Sequence, residues 1–361
     1  MTKEGDETVL ERRLARAMLW VIAVSLVIVW SGAGHAAPEK ILRIGTGGTG
    51  GTYFPIGSLI AQVTTDNRAL GGDGDNAGVK GLLTVAQISS GSVSNIEALR
   101  RGQLDLALVQ ADIAYWAYHG VGVYADAQPF EELRVIANLY PESMHLVARL
   151  GSGIQSVADL AGKRVSLDEP GSGTVIDAQL ILEAHGLRTQ DFLPRYMKPH
   201  FAARAIIENQ LDAFFVFAGY PAKTILELSV APGATLVPIA GPQVDELLAA
   251  HPYFGTGVIP TGTYGRGLIP AGTYPGVGDT PTITVGAQLV ARARLDAGLI
   301  SAFTEALWSK SGLKTLQSGH AKGKEIRREH ALMGVSVPLH EGAKAFYARE
   351  GMLRPEGSAT Q

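Results

Sequence analysis

The sequence predicts an α/β protein built as two similar lobes around a cleft. Three observations lead there. Short apolar runs alternate with helical patterns from Glu39 to about Gly267, an order that produces mostly parallel sheets. A turn rich in Gly, Ser and Thr stands between a strand and a helix twice, at Gly47–Thr52 and at Pro170–Thr174. Once an N-terminal leader is set aside, roughly 320 residues remain, enough for two domains.

The leader comes first. Arg12, Arg13 and Arg16 precede an almost wholly apolar stretch, Ala17–Trp30, and then small residues through Ala36 and Ala37. This order is that of a secretory signal over residues 1–37, with cleavage after Ala36 or Ala37. An uncleaved N-terminal anchor is the alternative. The chain has no Cys. A lipoprotein anchor, a disulfide scaffold and a thiolate metal site are therefore excluded. The expected location is the periplasm. A net charge of −3, from 31 basic and 34 acidic residues, gives no electrostatic case for nucleic acid or an anionic membrane surface.

Ile41–Ile44 predicts the first strand and Pro55–Thr65 the first helix, joined by five glycines and three threonines in Ile41–Tyr53. Gly45, Gly47 and Gly50 also satisfy the dinucleotide spacing, with Asp66 about where a ribose partner would stand. A lone fingerprint of this type is weak, and export argues against a nicotinamide cofactor. Arg68–Gly81 is a polar loop. Leu82–Ile88 predicts a strand and Ser92–Arg101 a helix with apolar spacing at Val93, Ile96 and Leu99. Leu104–Val109 is a strand and Asp112–His119 a short helix. Leu133–Leu139 and His145–Arg149 are two further strands.

A second, similar unit follows. Val157–Leu160 predicts a short helix, Arg164–Leu167 a strand, and Val175–His185 a helix ending at Gly186. Ala202–Asn209 is a helix and Ala213–Phe217 a strictly apolar strand. Two such lobes aim two helix N-termini at one ligand, where unpaired N–H groups favour an anion. Val258–Gly267 and Leu268–Val277 repeat I-P-x-G-T-Y. Two copies suit a surface loop extension and are too few for a solenoid.

The segments IGTGGTGGTYFPIG at Ile44–Gly57 and SSGSVSNIEALRRGQLDLALVQADIAYWAYHG at Ser89–Gly120 resemble the TAXI-type solute receptors of TRAP transporters. So do ANLYPESMHLVAR at Ala137–Arg149, SVADLAGKRVSLDEPGSGT at Ser156–Thr174, DAFFVFAGYP at Asp212–Pro221 and IPAGTYPG at Ile269–Gly276. The likeness covers nearly the whole chain after the leader. The extra copy at Val258–Gly267 departs from it. The resemblance implies a type II-like periplasmic binding protein fold. Lobe 1 would comprise residues 38–146 plus 287–350 and lobe 2 residues 147–286, with the duplicated loop at 258–277 and a tail at 351–361. Two hinge strands, near His145–Arg149 and Thr284–Val290, would join the lobes over a small organic acid. It also implies TRAP-type permease subunits as partners, no cofactor, and a monomer.

The candidate ligand-binding residues follow the turns. Gly48, Thr49, Gly51 and Thr52 would present N–H and hydroxyl groups to a carboxylate, with Tyr53 covering it. Packing alone would also explain that turn. Gly91 and Ser92 start a helix, where Ser92 serves equally as a cap. Gln110 and Ala111 end a strand, the usual ligand side of an α/β sheet. Tyr115 is assigned to the cleft wall. Ser172, Gly173 and Thr174 form the mirror cradle, beside Asp168 and Glu169. Phe217 and Tyr220 would cover a carbon chain, or fill the core. Two carboxylates beside an anion cradle suit an ammonium group, hence an amino acid such as glutamate. Were they turned to solvent, a keto or hydroxy diacid would fit as well.

The nine His residues form no metal spacing, and no nucleophile elbow with partners stands out. The reading is a binding protein that hands its ligand to a permease. A ligand-presenting sensor and an enzyme on the same scaffold are the alternatives.

Overall fold

The computed structural model describes residues 39–67, 78–229, 233–260, 262–264 and 279–353. The leader over residues 1–37, the tail after residue 353 and most of the duplicated loop lie outside the described residues, as does most of the polar loop after Arg68.

Lobe 1 begins with β1 (Lys40–Gly45), α1 (Tyr53–Thr64), β2 (Leu82–Gln87), α2 (Ser92–Arg100), β3 (Leu106–Gln110) and α3 (Ala111–His119). β4 (Leu133–Arg149) leads into lobe 2. There follow β5 (Arg164–Ser166), α4 (Gly173–Ala184), β6 (Leu193–Arg195), α5 (Pro199–Ile207), β7 (Ala213–Ala218) and α6 (Lys223–Ser229). β8 (Ala234–Val237), α7 (Pro242–Ala250) and β9 (Phe254–Ile259) complete that lobe, and β10 (Thr280–Arg292) returns. Helices α8 (Ala297–Trp308), α9 (Lys310–Gly319) and α10 (Glu341–Arg349) close the chain on lobe 1.

The strands share one path, β2-β1-β3-β10-β4-β7-β5-β6, with β8 on β4 and β9 on β10. The two ends mirror each other. β2, β1 and β3 run parallel and β10 lies antiparallel to β3; β6, β5 and β7 run parallel and β4 lies antiparallel to β7. The innermost parallel strands, LALVQ and AFFVFA, are buried at every residue. Covering both faces of a sheet demands such unbroken apolar runs.

β4 and β10 serve both lobes. β4 pairs β10 through Leu133–Ser143 and β7 through Ser143–Ala148, while β10 pairs β9 through Thr280–Val285 and β3 through Ala287–Ala291. The passage between lobes therefore runs through Tyr140–Ser143 and Thr284–Ala287. This corrects the crossing placed at His145–Arg149, which lies inside the lobe 2 sheet. It also joins two expected strands into one of 17 residues. Pro141 lies between the two expected strands and pairs Gly286 beside an irregularity in register at Ala287–Gln288, a position a residue without an N–H can occupy.

Each lobe buries apolar side chains on both sheet faces. In lobe 1, Phe303, Leu307, Phe346 and Tyr347 of the C-terminal helices cover Ile44, Leu108 and Leu289, and Ile96, Ile113 and Trp116 cover the opposite face. In lobe 2, β7 sends Phe215 and Phe217 towards α4 and α7, and Phe214 and Val216 towards α5 and α6. The two-residue period of the strand divides them. No helix of the described residues is long and apolar enough to cross a membrane.

Candidate functional site

The strands of both lobes end at one cavity of about 70 Å³. Helices α1, α2, α4 and α5 all begin on it, so their first residues, Tyr53, Ser92, Gly173 and Pro199, line it. A helix start carries unpaired N–H groups and a positive dipole end. Four of them around one small space favour negative charge there. Their N-caps leave that potential largely unspent. Thr52, Gly91 and Lys198 make no side-chain cap bond, and only Ser172 does, accepting from the Val175 amide at 3.3 Å.

The lobes are bonded to each other over this cavity. The Ser94 amide donates to the Gly171 carbonyl at 2.9 Å, and the Thr224 amide to the Gly50 carbonyl at 3.2 Å. Thr52 Oγ1 accepts from the Gly219 amide at 3.0 Å and donates to Glu142 Oε1 at 3.3 Å. Ser90 Oγ donates to Glu169 Oε2 at 3.1 Å. Gly91, at φ +116°, starts α2 beside Ser172 in a backbone conformation that side-chain-bearing residues rarely adopt. The chain is in a closed form.

Carboxyl groups face the cavity as well. Glu142, 2% exposed, sits on the crossing strand β4. Burial pushes its carboxyl up to about 8. Asp168, 7% exposed, is pushed up to about 7 for the same reason. Its backbone is left-handed, φ +81°, an uncommon conformation for a side-chain-bearing residue that marks a constrained site. Glu169 stands 3.7 Å from the Lys198 Nζ. Tyr53 hydroxyl is buried beside Glu142 with no hydrogen bond in bonding geometry among the described residues. Among the described residues no group of three or more His, Asp or Glu side chains is placed to hold a metal ion.

The structure brings Gly48, Gly51, Thr52, Tyr53, Gly91, Ser92, Gln110, Ser172, Gly173, Thr174 and Phe217 to the cavity. Thr174 Oγ1 accepts from the Phe217 amide at 3.1 Å, and Ser92 Oγ accepts from the Gln110 amide at 3.1 Å. Four expected residues are elsewhere. Thr49 is exposed at the tip of its turn. Ala111 packs in the core against Met144 and Val285. Tyr115 stacks on His119 and on Tyr253, with ring centroids 4.4 and 5.6 Å apart. Tyr220 lies under the Lys322 amine, 4.0 Å from its ring centroid. Five lining residues, Glu142, Lys198, Pro199, His200 and Val216, escaped the sequence reading of the site. Asp66 binds the Gly81 amide at 2.7 Å, so the dinucleotide fingerprint lacks its ribose partner. The cavity is also far too small for a dinucleotide.

The NMT1-like family matches residues 44–267 and 265–351. The seam between the two matched stretches falls inside the duplicated turn. Among solved structures, a protein of Bordetella bronchiseptica RB50 is similar at 17% identity over 90% of this chain and 86% of its own, with a TM-score of 0.49. The alkanesulfonate-binding protein from Xanthomonas axonopodis pv. citri, bound to MOPS, is similar at 15% identity over 88% and 96%, TM-score 0.42. An amino acid ABC transporter substrate-binding protein from Streptococcus pneumoniae, bound to L-arginine, is similar at 13% identity over 78% and 95%, TM-score 0.42.

Proposed function

Because the chain belongs to the NMT1-like family, we propose that it is an extracytoplasmic solute-binding protein that captures a small carboxylate. The lobes close on the ligand, and the loaded form delivers it to a membrane permease. The resemblance to TAXI receptors makes that permease TRAP-type. The observation that carries this reading is the convergence of four helix N-termini, two from each lobe, on one small cavity bridged by hydrogen bonds between the lobes. Such a site binds an anion only while closed, which is the property a capture-and-release receptor needs.

The cavity residues favour a ligand that also bears an ammonium group. Glu142 and Asp168 are buried carboxyls without a basic partner in contact, and an ammonium group would supply one. An acidic amino acid such as glutamate satisfies both sides of the cavity; a dicarboxylate such as 2-oxoglutarate satisfies only the helix starts. Binding without chemistry fits the hydroxyls. Ser90 donates to Glu169, Ser92 exchanges bonds with Gln110, and Ser172 caps α4, so none is paired with a histidine base.

Mass spectrometry of the solute that copurifies with the protein, followed by calorimetric titration with C4–C5 diacids and acidic amino acids, is the direct test. Recovery of an unchanged small carboxylate supports the reading. Silence across the whole panel, or a ligand lacking any acidic group, overturns it.

A further inference from the structure

Behind the cavity two carboxyl groups, one from each lobe, lie within hydrogen-bonding reach of each other. Asp112 stands in the first turn of α3 in lobe 1, and Asp177 on α4 in lobe 2; both are 0% exposed. Gln110 Nε2 donates to Asp177 Oδ2 at 2.5 Å. Neither oxygen of Asp112, nor Oδ1 of Asp177, meets a donor in bonding geometry among the described residues. The titratable groups that act on the pair are Glu142 on β4, Tyr124 after α3 and Tyr253 before β9. None of these is a cation. Lys322, the base that acts on Glu142, is itself held by both oxygens of Glu325 at 2.8 and 2.9 Å.

Two facing carboxylates in an apolar interior cannot both be ionised. A shared proton turns their repulsion into a hydrogen bond, and here that bond runs from one lobe to the other. We infer that Asp112 and Asp177 form a proton-operated latch between the lobes, shut when the pair holds its proton and released when it does not. Burial pushes both carboxyls above the ordinary range; Asp112 raises Asp177 further, while the hydrogen bond from Asp177 offsets part of the rise at Asp112.

The sign follows from linkage. In an open form each carboxyl meets water and titrates near ~3.9. The closed form therefore binds more protons than the open one. Closure strengthens as pH falls and weakens as pH rises through the raised range. While one proton is linked, the open-to-closed ratio changes about tenfold per pH unit.

The inference goes beyond the solute-binding reading and is tested without any solute. The chain has no native Cys, so Arg101→Cys on lobe 1 and Arg188→Cys on lobe 2, both exposed, accept a fluorophore pair. Energy transfer is then read in the ligand-free chain at about pH 5 and about pH 8, either side of neutral. The latch predicts high transfer at the lower pH and a fall at the higher. Asp177→Asn and Asp112→Asn each leave one carboxylate facing an amide donor, and both should stay closed at the two pH values. Equal transfer in the unsubstituted pair at both pH values overturns the latch. So does an unchanged pH response in the folded Asn variants, which would hand the response to Glu142 or Asp168.

Discussion

The Oε1 atom of Gln110 in lobe 1 lies 1.6 Å from the position a Cβ on Gly173 of lobe 2 would occupy. Closure thus depends on a missing side chain. Gln110 cannot simply swing away, since Ser92 Oγ donates to its Oε1 at 3.2 Å and its Nε2 is spent on Asp177. Gly173→Ala should leave each lobe folded, because the clash exists only between lobes. Crowding of this kind costs about 1–3 kcal/mol, so ligand affinity should fall about fivefold or more. Calorimetric titration alongside thermal unfolding checks this. Unchanged affinity would show that Gln110 yields freely.

Glu142 separates an amino acid from a diacid. Among the described residues the donor in bonding geometry to its buried carboxyl is Thr52 Oγ1, at 3.3 Å, with the Tyr53 hydroxyl beside it, and an ammonium group has a place there. Removing one partner of a buried charged pair costs about 2 kcal/mol or more. Glu142→Gln should therefore weaken L-glutamate binding by about 30-fold. It should leave 2-oxoglutarate, which has no ammonium, nearly unaffected. Parallel titrations of both ligands decide; equal losses for the two would remove Glu142 from ligand discrimination.

The two glycine and hydroxyl turns were legible as strand-to-helix turns because glycine-rich runs punctuate an apolar strand and a helical pattern, and both line the cavity. The alternation of runs gave the two α/β units for the same reason. Glu142 was hidden by its surroundings. A proline, a glutamate and a serine inside an apolar stretch look locally like a turn, and only the pairing of Tyr140–Ser143 with Thr284–Ala287 makes them strand. Tyr115 and Tyr220 were misplaced because local pattern does not say which way an aromatic leaves a helix or strand end. Contacts distant in sequence, Tyr253 and Lys322, decided that. Lys198 and His200 line the site through an α5 start that no glycine announces, where Pro199 supplies the preset φ instead.

Besides their apolar packing, helices α8 and α10 are joined to the lobe 1 sheet through the Tyr347 hydroxyl. Tyr347 Oη accepts from Trp308 Nε1 at 2.9 Å and donates to the Ile136 carbonyl at 3.0 Å, all out of water. Tyr347→Phe keeps the ring and strands both partners. Leaving buried groups unpaired costs about 1–3 kcal/mol each, so global stability should fall by about 2 kcal/mol or more. Chemical denaturation measures it. A loss under about 0.5 kcal/mol, the scale of an ordinary surface change, would mean that water reaches the gap.

Asp212 fastens three strands of lobe 2. Its Oδ1 accepts from Arg149 at 2.9 Å and Arg164 at 2.8 Å, and its Oδ2 from the Arg164 amide at 3.0 Å and Nε at 2.9 Å. These bonds, those from the Arg164 side chain foremost, hold its carboxyl well below the usual range. Depressed in the folded state, the group adds stability above its ordinary value of ~3.9. That stability disappears as pH falls towards the folded value. Asp212→Ala should lower the unfolding free energy by about 2–3 kcal/mol near neutral pH. The gap from the unsubstituted protein should narrow below about pH 4. Urea unfolding across that range tests both parts. A difference that stays constant down to about pH 3 would assign the loss to packing rather than to the ionised carboxylate.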